Sequence, residues 1–137
     1  MADEATATKY TVLNLQEVDN QGVNFGISED DCVYRMARVP LGCENSGVSY
    51  ERLAPGYRQP FGHKHKRQEE IYVLVTGSAR IKLDDDIVEL EAWSAVRIAP
   101  DTMRQLEAGP EGAEMIAIGA PNTGPGDGEI VPGWWTD

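Results

Sequence analysis

The stretch Ala54 to Gly77, APGYRQPFGHKHKRQEEIYVLVTG, decides how the chain is read. It places both histidines of the protein two residues apart, beside an acidic pair and ahead of a strand-like run. In an extended strand, residues i and i+2 point to one face with Cα atoms roughly 6.6 Å apart, so the imidazoles of His63 and His65 can converge on a single ion. Along the following run, Glu70, Tyr72 and Leu74 share one face, while Glu69, Ile71, Val73 and Val75 share the other. If the Glu70 face looks inward, one carboxylate meets two imidazoles, and Glu69 stays at the start of the strand within reach of solvent. Two histidines and a carboxylate suit zinc, iron, manganese, nickel or copper, and leave positions open to water or substrate. The alternative is that His63 and His65 are solvated residues of a charged loop, in company with Lys64, Lys66 and Arg67. Alternation turns Lys64 away from the histidine face, so at least that cation does not oppose an ion bound there.

Around this stretch, short strand-like runs alternate with turn residues every eight to twelve positions, the spacing of an all-β sandwich or barrel. The pattern predicts strands over 47–53, 61–65, 70–76, 79–84, 86–91, 94–99, 103–108 and 113–119. The breaks fall at Pro55-Gly56, Lys66 to Glu69, Gly77-Ser78, Asp84 to Asp86, Pro100-Asp101 and Gly109 to Gly112. Upstream, 10–15 and 32–39 alternate like strands, with Pro40 and Gly42 ending the second. Residues 19–31 read as loop and 1–8 as a mobile tail. No helical repeat and no internal sequence repeat is sustained. The organisation expected is one domain: an N-terminal tail with β arms over 1–46, a barrel core over 47–120, and a Pro/Gly-rich tail over 121–137. The apolar Trp134 and Trp135 of that tail are expected to pack on the barrel or on a second subunit.

The spacing His63-x-His65, four residues, Glu70, six residues, Gly77 resembles the first motif of the cupin superfamily, and the strand pattern fits its double-stranded β-helix, or jelly-roll, barrel. The resemblance covers about Val48 to Gly119 and rests mostly on Pro55 to Gly77. It departs slightly at Gly56, which leaves six residues between itself and His63 where the motif has five. In the second motif, a histidine after a Pro-x-Gly turn usually completes the metal shell. Here, matching Ala99 to Thr102 to that turn puts Arg104 in its place, and a shift of one puts Gln105 there. Alternation favours Arg104, whose face carries Leu106 and Ala108, because Gln105 would take Glu107 inward with it. Arginine has no lone pair for a cation. Either a metal is held by His63, His65 and Glu70 with Arg104 beyond it as an anion clamp, or Arg104 pairs with Glu70 in a metal-free pocket. The resemblance implies a small, largely uncharacterised single-domain cupin, a homodimer as similar proteins tend to be. It implies metal-dependent dioxygenase, isomerase or lyase chemistry on a small molecule, anionic or neutral. Against that stand a non-catalytic binding or sensor module and a barrel with a vestigial site.

The composition narrows the partners. At 137 residues the chain suits one domain with one core. A formal charge of −11 repels nucleic acid and anionic membrane surfaces. The longest apolar run, IYVLV at 71–75, is far short of the roughly 20 residues that span a bilayer. The start MADEATATKY carries no secretory pattern, so a cytoplasmic protein is expected. Cys32 and Cys43 read as reduced thiols, and with both histidines committed no Ser-His-Asp or Cys-His nucleophile can be assembled.

Overall fold

A computed structural model describes residues 9–137, so the expected tail at 1–8 lies outside the described residues. The strands are β1 (Cys32–Met36), β2 (Gly47–Leu53), β3 (Phe61–His65), β4 (Glu69–Leu83), β5 (Asp86–Glu91), β6 (Ala95–Ile98), β7 (Arg104–Ala120) and β8 (Gly128–Pro132). All pairings are antiparallel, in the order β1-β2-β7-β3-β8, with β4 bonded to β5, β6 and β7. The result is the jelly-roll barrel expected from the sequence, with a core of Leu53, Leu74, Ile81, Ile98, Leu106 and Met115 among others. No helix of the described residues is long and apolar enough to cross a membrane.

The long strands β4 and β7 are the frame. The sequence pattern splits each into two strands, at Gly77-Ser78 and at Gly109 to Gly112. In the fold these breaks are one place in space, where Gly77 pairs with Ala113 and Ala79 with Ala108, leaving Ser78 opposite residues 109–112. Inward positions are even before this irregularity on β4 (Tyr72, Leu74) and odd after it (Ala79, Ile81). β7 changes phase in the same way, from Leu106 and Ala108 to Ala113, Met115 and Ala117. Because β-strand side chains alternate with period two, the displaced register flips the faces and imitates a strand end.

Three expectations need correction. Residues 10–15 alternate but form no strand. Asn14 accepts the Gln16 N–H at 2.8 Å and opens a 3-10 turn at Leu15–Glu17. Residues Val12 to Gln16 border a shallow groove against Tyr50, Val75 and Ile116, so the segment lies by the outside of the sheet without joining its ladder. The strand expected over 32–39 stops at Met36. A single helical turn, α1 (Arg38–Leu41), follows and is closed by Gly42 at φ +73°; Pro40 is tolerated there because the first turn of a helix needs no donor from it. Finally, Gly128–Pro132 is a strand that pairs along the whole of β3. Too short to show a clear alternation, it is specified by its partner more than by its own sequence.

Candidate metal centre

β3 and β4 position the three ligand candidates. His63 and His65 point inward from β3, their ring centroids 5.1 Å apart at 88°. Glu70 points inward from the start of β4, and its Oε1 lies 3.5 Å from His63 Nε2 and 3.6 Å from His65 Nε2. One donor atom from each residue falls within 4.8 Å of the others. Ligand atoms on a tetrahedron of about 2.1 Å radius stand roughly 3.4 Å apart, so the two measured edges have the size of a zinc-like shell. Glu69 faces out and pairs with Arg97 at 3.0 Å. Lys64 also faces out, toward Asp101 at 3.2 Å.

The surroundings of His65 bear on what fits. Its Nδ1 lies 3.0 Å from Asp127 Oδ2, and Asp127 also accepts the backbone N–H groups of Arg67 at 2.9 Å and Gln68 at 3.3 Å. With both oxygens of Asp127 so engaged, a neutral His65 carries its proton on Nδ1 and turns the Nε2 lone pair toward Glu70. That Nε2 is buried and has no hydrogen-bond partner among the described residues. A lone pair facing a carboxylate oxygen is an arrangement of two acceptors, and a cation between them satisfies both. Asp127 lies in the Gly-rich run after Ala120, where no sequence pattern links it to a histidine far away in the chain.

Arg104 is 1% exposed and donates from Nη1 to Glu70 Oε1 at 2.7 Å and from Nη2 to the Ala99 carbonyl at 3.0 Å. It is the register partner of His63 on β7. Gln105, the alternative for that position, is equally buried but turns to the opposite side, where its Oε1 accepts the N–H of Trp135 at 3.1 Å. The expected penalty for Glu107 on that side is met by Arg58 at 2.9 Å and Arg80 at 2.6 Å. Trp135 covers the same region, 2% exposed, with the Arg58 guanidinium 4.1 Å from its ring centre. Arg104 stands behind Glu70 and is not part of the wall of the adjoining cavity.

Burial works against ionising Glu70, but the contact with His63 and the Arg104 charge outweigh it and hold its carboxyl well below the usual range. Burial keeps His63 below its ordinary value despite the nearby Glu70. Both shifts favour the forms that bind a metal, carboxylate and neutral imidazole.

A cavity of about 320 Å³ opens in front of these residues. Tyr72 lines it and donates to Glu70 Oε1 at 3.2 Å. Phe61 forms an apolar wall with Phe25, ring centres 6.1 Å apart. Tyr57, in the loop before β3, packs against the core. Glu51, Gln59 and Tyr34 also line the cavity, and no motif in the sequence marks them. Glu51 shares a face with the core residue Leu53, which is the signal that places it inward; the opposite face of β2, with Val48 and Tyr50, looks equally apolar and hides it.

No protein-family model matches the sequence, and no curated protein matches it. Solved structures do. A cupin protein from Bacteroides fragilis is 28% identical, with a TM-score of 0.66 over 84% of this chain and 86% of that one. A protein with a double-stranded β-helix domain from Klebsiella pneumoniae is 16% identical, with a TM-score of 0.67 over 91% of this chain and 98% of the other. Pac13 from Streptomyces, described as a nucleoside dehydratase, is 18% identical, with a TM-score of 0.66 over 92% of each chain.

Proposed function

For a chain with the cupin fold, we propose that His63, His65 and Glu70 hold a divalent transition metal that acts on a small molecule taken into the adjoining cavity. The observation that carries this is the buried, partnerless Nε2 of His65, aimed at Glu70 by the contact of its other nitrogen with Asp127. Zinc, iron, manganese, nickel and copper all accept such a donor set. Bound there, the metal would supply Lewis acidity for isomerase or lyase chemistry, or a centre for dioxygenase chemistry, with a coordination position left for the substrate.

The protein's own residues have separate tasks. Asp127 fixes the ring of His65. Arg104 anchors the carboxylate of Glu70 from behind, as outer partners of ligating carboxylates do. Tyr72 adds a donor to the same carboxylate, and Phe61 gives the substrate an apolar wall. The anion clamp considered for Arg104 would need an exposed guanidinium, so an acidic substrate would meet the metal itself.

Elemental analysis of the purified protein tests this. About one transition metal per chain is expected, lost in His63→Ala; no metal in the parent protein would sink the proposal. The Arg104–Glu70 contact at 2.7 Å supports a second reading, in which the guanidinium takes the cation's place in a metal-free binding module. That reading predicts a metal-free protein stabilised by a small ligand without turnover. The homodimer is also proposed. It is supported by Ile71 and Ile118, which pair across β4 and β7 on the outer face and are each 38% exposed.

A further inference from the structure

In the wall of the same cavity, Glu51 is 7% exposed on the inner face of β2. Among the described residues no cation lies within ion-pair distance of it. Among those residues its one hydrogen bond is a long one, from Gln59 Nε2 to Oε1 at 3.3 Å. Gln59 is held in that orientation, because its Oε1 accepts the Leu106 N–H at 2.8 Å and its Nε2 also reaches the Tyr34 hydroxyl at 2.9 Å. A buried acid with so little support costs stability, and a polar group kept at such a cost in a cavity wall points to a ligand.

Resting on the metal site proposed above, we infer that Glu51 is the second pole of the ligand site, donating its carboxyl proton to a ligand oxygen. The molecule it selects is a small one with two oxygen functions, one for the metal face and one for Glu51, joined by a short apolar frame. Burial is the larger cause, and the charge of Glu70 the smaller, of the shift that takes Glu51 up to about 8, in the direction of the carboxylic acid that donates. The apolar frame has Phe25, Phe61 and Ile130 to lie against.

The test is calorimetry on the protein as purified and loaded with zinc, using four-carbon acids that share one carboxylate and differ in the second group. Acetoacetate, whose ketone accepts a hydrogen bond, is expected to bind about tenfold or more tighter than butyrate, the order of one buried hydrogen bond. That preference should disappear in Glu51→Leu and survive in Glu51→Gln, whose amide still donates, with zinc content unchanged in both variants. Glu51→Leu should also unfold at a higher temperature than the parent, since it removes a poorly supported buried acid. Equal binding of acetoacetate and butyrate, failure of both to bind, or a preference for 4-aminobutyrate would overturn the inference. So would a ketone preference that persists in Glu51→Leu. Loss of zinc binding in the parent protein is a different result, and it would remove the metal site itself.

Discussion

Asp127 and Glu51 are two carboxyls with opposite employment, and neither belongs to the ligand face. Asp127 accepts from three donors and acts through His65. Asp127→Asn keeps the shape but loses the charge and one acceptor, so metal affinity at the proposed site should fall about 10–100-fold, the loss seen when an outer partner of a ligating histidine is changed. Zinc titration measures that loss, and the nitrogen shifts of His65 should report a changed tautomer. Glu51 makes stability depend on pH. Its folded value is about 8 against an ordinary 4.5. Between those values the folded protein keeps a proton that the unfolded chain releases, so this group's contribution is complete below pH 4.5 and declines as pH rises to about 8. His63, lowered by burial, acts in the opposite sense. The comparison is therefore between urea unfolding of the metal-free parent and of Glu51→Gln, and the variant should show the more positive slope of stability against pH.

β4 and β7 set the geometry in which these residues meet. Gly77 belongs to the motif that first suggested the fold, and its structural task is to let the two strands change phase together. Its φ is +82°, and a Cβ there would lie 1.9 Å from the Gly112 carbonyl oxygen. Gly77→Ala is expected to cost about 2–4 kcal/mol, from left-handed backbone strain and from the clash with a backbone atom that cannot turn aside. Denaturant unfolding measures it. The glycines were legible as punctuation, because Gly and Pro interrupt any alternation. Their meaning was not, because a strand end and an irregularity that flips the faces leave the same trace along one chain. Only the partner strand distinguishes them.

For the whole molecule, the C-terminal segment closes both the barrel and the site. β8 pairs along β3, Asp127 holds His65, and Trp135 is buried against Arg58 and Gln105. Trp135→Ala should lower stability by about 3–5 kcal/mol, read from thermal unfolding, with the zinc stoichiometry retained. Light scattering is expected to give twice the chain mass if the outer face carrying Ile71 and Ile118 joins two copies. Period-two alternation and turn residues were enough for the sequence to determine an all-β sandwich or barrel, the motif resemblance pointed to the barrel, and two-residue spacing was enough to put His63 and His65 on one face of a strand. The parity of β4 grouped Glu70 with Tyr72 and Leu74 and left open which face looks inward. These are short-range properties, settled by backbone geometry within a strand. The arrangement of Arg104 behind Glu70, the hold of Asp127 on His65 and the isolated acid at Glu51 join residues far apart in the chain. Only tertiary structure decided them, because they depend on strand register and on which groups burial leaves without water.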